Sequence, residues 1–133
     1  MVQAYSMEGF EIRIDGSVLE MRTEGTRTVG MGRDSGRSFE SFLAHSDVSG
    51  VLFDVRGAHY DFTPDAWEER ARVIARICTP YPTAFVGRPD QDGQIGRVME
   101  LLEARGGSAL HCRSRQSARV WLDGHRTDPA RKE

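Results

Sequence analysis

VLFDVRGAHYDFTPDAWEERARVIARI, residues 51–77, decides how the rest of this chain is read. Its first five residues are apolar except for Asp54, as in a strand covered on both faces, and Gly57 closes the run. Thr63 suits a helix N-cap, Pro64 is pre-set for the first helical residue, and Asp65 complements the positive end of the helix dipole. Trp67, Ala71, Ile74, Ile77 and Cys78 then recur at the spacing of one helix face. Glu68 and Arg72 lie four apart on the wet side, and Thr79-Pro80 stops the helix. The stretch is a buried strand, a polar turn and an amphipathic helix.

Before it, Phe10, Ile12 and Ile14 alternate with Glu11, Arg13 and Asp15, which is the period of a half-buried strand. Asp15-Gly16 signals a two-residue hairpin, because Gly accepts the positive φ the turn demands. A return strand over 18–22 and a further extended piece over 26–31 follow, and Gly30, Gly32 and Gly36 make a flexible connection. Phe39, Phe42 and Leu43 predict a short helix over 38–45, capped by Asp34, Ser35 or Ser38.

After it, a strand over 83–86 leads to a helix capped by Asp92, with the stripe Ile95, Val98, Met99, Leu102, ended by Gly106-Gly107. A strand over 109–113 and a helix over 115–122, capped by Ser114, complete the pattern. Strands alternating with helices imply a mainly parallel sheet with right-handed crossovers, and the leading hairpin adds an antiparallel portion. The expected organisation is an extension over 1–8, one domain over 9–122 and a polar tail over 123–133.

Several classes are disfavoured by composition. The 133 residues suit one domain, and a net charge of −2 offers no general field for nucleic acid or an anionic membrane. Of the 18 basic residues only Lys132 is lysine, a compositional habit and not a binding signal. No apolar stretch approaches the ~20 residues that span a bilayer, and the N-terminus has no secretion-signal pattern. Cys78 and Cys112 have no CxxC neighbour and read as small buried residues of a reducing compartment, so a cytoplasmic location is expected.

Three short segments carry a family resemblance. Val51-Leu52-Phe53-Asp54-Val55-Arg56-Gly57, Phe62-Thr63-Pro64-Asp65-Ala66-Trp67 and Ala118-Arg119-Val120-Trp121-Leu122 resemble the central strand, the helix entry and the C-terminal signature of SpoIIAA-like members of the STAS-like superfamily, small bacterial proteins. The likeness covers roughly residues 9–122 and extends broadly to lipid-binding CRAL-TRIO (Sec14-like) domains. It implies an α/β fold: a single-domain STAS-like mixed β-sheet with an N-terminal antiparallel hairpin, then alternating parallel strands and about four helices. Anti-sigma antagonists of this type carry a phosphorylated Ser at the start of this helix. Here Thr63 keeps a hydroxyl and Pro64 takes the place of the second Ser. Helix capping is sufficient to explain Thr63.

Candidate sites are few. His59, Tyr60 and Asp61 follow the central strand, where open α/β sheets bind ligands, and with Thr63, Asp65 and Asp54 they are the partner- or ligand-binding candidates. His59 and Asp61 could form an acid–base pair, shared with His111 or Cys112, but no catalytic motif supports one and no catalytic residue is assigned. A carboxylate at Asp54 must be paired or protonated, and Arg56, two residues on, shares its face. Arg113, Ser114 and Arg115 could form an anion site at a helix N-terminus. The four histidines have no metal-ligand spacing, and no cofactor is implied.

The expected function is a non-catalytic regulatory or protein-interaction module, its surface running from His59 to Trp67 and its partner another protein or a second copy in a homodimer. The alternative is a small carrier of a hydrophobic, lipid-like ligand, in a cavity of several hundred Å³ lined by residues such as Phe39, Phe42, Trp67, Ile74 and Met99. A hydrolase using His59 and Asp61 is the remote alternative.

Overall fold

Alternating apolar residues on the first long strands give the sheet a buried face, and three helices pack onto it. The computed structural model describes residues 3–125. Strands β1 (Gln3–Met7), β2 (Phe10–Asp15), β3 (Val18–Arg27), β4 (Gly50–Tyr60), β5 (Thr83–Val86) and β6 (Ala109–Cys112) form one six-stranded sheet in sequential order. β1, β2 and β3 pair antiparallel, and β3 to β6 pair parallel. This is the mixed sheet that the sequence pattern predicts, with β1 added at its edge. Gly16 has φ +64° in the β2–β3 hairpin, where Asp15 pairs with Val18. No helix among the described residues is long and apolar enough to cross a membrane.

The helices α1 (Val29–Ala44), α2 (Pro64–Cys78) and α3 (Asp92–Ala104) bury Phe39, Leu43, Ala71, Ile74, Cys78, Ile95, Val98 and Leu102 against Phe10, Ile12, Leu19, Met21, Val51, Phe53, Val55 and Phe85. Helix α4 (Arg115–Gly124) covers the other face, where Ala118 and Leu122 pack on Val18, Leu52, Ala84 and Val86. Caps fall where local chemistry permits them. Thr63 Oγ1 accepts from the Ala66 N–H at 3.2 Å and Ser114 Oγ from the Ser117 N–H at 3.1 Å. Helix α4 extends to Gly124, and of the polar tail residues 126–133 lie outside the described residues.

Three readings of the pattern are corrected. The strand expected over 18–22 runs unbroken to Arg27, and the piece expected to be extended to residue 31 is already helical from Val29. The glycine-rich connection is not a flexible loop but the first half of α1, capped by Thr28 and not by Asp34, Ser35 or Ser38. Each helical Gly costs about 1 kcal/mol relative to Ala. The offset is close packing: a Cβ on Gly36 would lie 2.6 Å from Arg70 Nη1, and one on Gly32 would lie 3.3 Å from the Phe62 ring. The third correction concerns α3, whose N-cap position is Gln91, after a short 3₁₀ turn over Pro89–Gln91.

Candidate functional site

The central strand does not end at Gly57. It continues to Tyr60 through an irregularity at which Arg22 pairs with Asp54 but Glu24 pairs with Gly57, so β4 carries one extra residue. That residue flips the alternation. Val51, Phe53 and Val55 face the helices, and beyond the bulge Ala58 and Tyr60 do so, while His59 points out and is exposed. The freed carbonyls are held from the 3₁₀ turn. Gln91 Nε2 donates to the Val55 and Ala58 carbonyls at 2.8 and 3.1 Å, and the Arg88 guanidinium donates to the Arg56 and Ala58 carbonyls.

The bulge brings Tyr60 opposite Arg27, and both reach a chamber between the sheet and the helices at the carboxyl ends of β3 and β4. Its volume is about 40 Å³. Met21, Phe53, Val55, Phe85, Ile95 and Val98 form its apolar floor, and Thr23, Arg27, Ser35, Tyr60, Trp67 and Arg70 bring the polar groups. Tyr60, Phe62 and Trp67 form an aromatic wall with ring centroids 5.1–5.8 Å apart. The Trp67 indole N–H is committed to the Gln94 carbonyl at 3.1 Å.

Two arginines line this chamber. Arg27 is 2% exposed, and its Nη1 donates to the Glu8 carbonyl at 3.0 Å, an approach made possible by Gly9, whose Cβ would lie 2.6 Å from that atom. Arg70 projects from α2 between Trp67 and Ile74, a position that the helix stripe would give to an apolar side chain. Among the described residues no carboxylate lies within ion-pair distance of either arginine. Burial pushes the Arg70 guanidinium below its ordinary value; the nearby phenol of Tyr60 opposes that shift and the charge of Arg27 adds to it. Burial pushes the Tyr60 phenol up, while a hydrogen bond with Thr23 and the charges of Arg70 and Arg27 pull it back. Like charges placed together in an apolar setting cost free energy unless an anion joins them.

The residues expected to form sites are placed differently. Asp61, Thr63 and Asp65 are exposed, as is His59, and the Asp61 N–H donates to the Arg27 carbonyl at 3.1 Å. His111 and Cys112 lie on β6, two strands away from the end of β4 that carries His59. Arg113 donates to Asp92 at 3.1 Å and to His111 Nε2 at 3.0 Å, and Arg115 donates to both oxygens of Glu20 at 2.7 and 2.6 Å. Both arginines of the expected anion site are therefore already neutralised by carboxylates. Because an arginine only donates, His111 Nε2 accepts and its proton sits on Nδ1, towards Asp92 Oδ1 at 3.4 Å. Burial and Arg113 hold the His111 imidazole below its ordinary value, against the pull of Asp92.

Asp54 has the partner expected of it. Arg56 donates Nε and Nη2 to its two oxygens at 3.0 and 2.7 Å, on the α4 side of the sheet and apart from the chamber. Burial raises the Asp54 carboxyl, but the Arg56 side-chain and backbone hydrogen bonds outweigh it and hold the group below its usual value. A lowered folded-state value means stability that is complete above the unfolded carboxylate range near pH 4 and lost as pH falls through the folded value. Arg56 is 44% exposed, so the contribution is screened to about 1 kcal/mol. In urea melts, Asp54→Asn lowers the midpoint at pH 7, and the gap to the unaltered protein closes by pH 2–3. A gap that persists unchanged at low pH contradicts the pairing.

Of the residues expected to line a carrier cavity, Trp67 and Ile74 reach the chamber. Phe39 packs on Phe53, Phe42 tilts against Tyr5, and Met99 packs against the main core. A chamber of about 40 Å³ has room for about three water-sized groups, far below the several hundred Å³ that a lipid-like ligand needs.

No protein-family model and no curated protein matches this sequence. Among solved structures, the chain is similar to an uncharacterised DUF3478-family protein with a SpoIIAA-like fold from Shewanella loihica PV-4. The TM-score is 0.61 at 15% identity, over 91% of this chain and 93% of that one. It is also similar to an enoyl-CoA hydratase from Geobacillus kaustophilus HTA426, with a TM-score of 0.54 at 6% identity over 93% of this chain and 76% of that one. At these identities both likenesses concern the fold alone, and the fold is SpoIIAA-like.

Proposed function

We propose that this protein is a non-catalytic binding module that takes a small anion into the chamber between Arg27 and Arg70. One observation supports the reading: Arg27, buried, and Arg70, half-buried, line a shared cavity, and among the described residues neither has a carboxylate partner. Pure fold stability would favour an apolar residue at Arg70, so the charge is retained against a cost. Beside the two arginines, the chamber's polar groups among the described residues are the hydroxyls of Thr23, Ser35 and Tyr60, the Trp67 indole and the amides of Gln91 and Gln94.

The end of β4 and the start of α2, where His59, Asp61, Thr63 and Asp65 are exposed, adjoin the chamber through Tyr60, Phe62 and Trp67, which favours a regulatory version of the same reading. Occupancy of the chamber would set the packing of the aromatic wall, and this surface would present that state to a protein partner.

Thermal melts with acetate, bicarbonate or phosphate titrated at fixed ionic strength test the anion site. An anion at about a hundred times its Kd stabilises the folded state by about 3 kcal/mol, a shift of several degrees. Arg70→Met removes that response and raises the anion-free stability by about 1 kcal/mol. An unaltered protein indifferent to all three anions, or an Arg70→Met variant that responds as fully, overturns the reading.

A further inference from the structure

We propose that β1 is the edge at which a second copy of this chain docks. Two β1 strands join antiparallel about a twofold axis at Tyr5, continuing the sheet across both molecules. The chamber plays no part in this contact.

β1 pairs with β2 over all five of its residues, and no strand of the described chain lies on its other side. Alternate residues of β1 therefore direct unpaired N–H and C=O groups outward, a template for a further strand. Folded proteins guard such edges with charges, prolines or bulges. Gln3-Ala4-Tyr5-Ser6-Met7 carries no charge and no proline, and its pairing with β2 runs without a bulge. The register with Ile12 and Phe10 puts Tyr5 and Met7 on the helix-covered face. There they stay exposed, two of the three exposed large apolar side chains among the described residues. The Tyr5 ring already leans on Phe42 at 5.5 Å, and a second Tyr5 across the axis extends that aromatic cluster.

The charges on the opposite face select both the partner and the register. Ala4 pairs with Arg13 and Ser6 with Glu11; further in, Arg13 pairs with Glu20 and Glu11 with Arg22. Among the described residues neither Arg13 nor Glu11 has an ion-pair partner. With Tyr5 on the axis, Ala4 meets Ser6 of the second copy. The row across the joined sheet then reads Glu20, Arg13, Ala4, followed by Ser6, Glu11 and Arg22 of the second copy. Arg13 is directed towards Glu11 of the other molecule over two small side chains, and the twofold repeats the row. A seam centred on Ala4 would direct Arg13 towards Arg13, and one centred on Ser6 would direct Glu11 towards Glu11. An antiparallel second copy supplies the reversed charge order by symmetry alone.

Sedimentation velocity from micromolar to submillimolar protein reads the association, and a seam this small is expected to dissociate in the micromolar range or above. Ala4→Glu faces Arg13 within its own chain, so the fold is kept, but across the seam it is directed towards Glu11 of the second copy. Ser6→Arg likewise faces its own Glu11 and is directed towards Arg13 of the second copy. Each single variant is expected to weaken association at least about tenfold, the like-charge effect occurring twice. The double variant Ala4→Glu/Ser6→Arg sets the new carboxylate opposite the new guanidinium across the seam, again twice, and restores association to at least the unaltered level. Amide hydrogen exchange of the unaltered chain needs no variant: exchange over residues 4–7 slows as protein concentration rises.

A monomer throughout the range, with exchange over residues 4–7 unchanged, overturns the proposal. A dimer that both single variants leave intact has its contact elsewhere and overturns it as well. Loss in the single variants without recovery in the double variant overturns the Tyr5-centred register. None of these outcomes bears on anion binding in the chamber.

Discussion

Phe53→Ala is expected to lower the unfolding free energy by about 3–5 kcal/mol, the largest loss from any single side chain on the helix-covered face of β4. Phe53 is 2% exposed and sits at the middle of an aromatic row, 5.1 Å from the Phe39 ring and 5.2 Å from the Phe85 ring, with the latter stacked at 9°. Removing the ring deletes both contacts and opens a void. The sheet backbone, paired on both sides of β4, has little freedom to close it. Phe53 also lines the chamber, so the variant has a larger chamber with the same two arginines. Urea midpoints measure the loss, and benzene is expected to restore part of it by filling an apolar void. A loss below about 1 kcal/mol contradicts the packing described for this face.

Glu20→Ala is expected to cost about 3 kcal/mol, by a different route. Glu20, 9% exposed on β3, accepts from Arg115 at 2.7 and 2.6 Å and from Arg119 at 2.6 Å. It ties the start of α4 to the sheet on the face that Ala118 and Leu122 cover. Without it the two guanidiniums have Asp15 beside them, at 3.4 and 3.8 Å, and a half-buried cationic pair is left undercompensated. Breaking a buried pair costs about 3–5 kcal/mol, and the lower end applies because Arg115 is half-exposed. Thermal melts of Glu20→Ala should fall by about 10 °C. A shift of one or two degrees would mean that this network behaves as an ordinary surface pair.

The sheet, its mixed pairing and the last three helices follow from local pattern. Phe10, Ile12 and Ile14 alternate, Thr63-Pro64-Asp65 starts a helix, and Ser114 starts another, because each signal is complete within a few residues. What the pattern misses depends on long-range contacts. The glycines of α1 read as a loop because their compensation comes from Arg70 and Phe62, thirty and more residues away. His59 reads as the strand-end residue of interest because nothing local announces the extra residue in β4 that turns Tyr60 inward instead.

The chamber did leave two marks in the sequence. Arg27 continues the inward alternation of Leu19, Met21 and Thr23, and Arg70 occupies the apolar stripe of α2 between Trp67 and Ile74. A charge in phase with the buried face, on each of two elements, is the signal that could have found the site. Arg113 and Arg115 drew attention to a helix N-terminus, yet their carboxylate partners, Asp92 and Glu20, are 21 and 95 residues distant in the chain.

The most direct measurement is anomalous diffraction from crystals of this protein soaked in bromide. The account predicts a bromide peak between the Arg27 and Arg70 guanidiniums, with Tyr60 and Thr23 around it, and no such peak in Arg70→Met crystals. Bromide confined to other arginines, with the chamber free of it, would contradict the claim that Arg27 and Arg70 form an anion-binding centre.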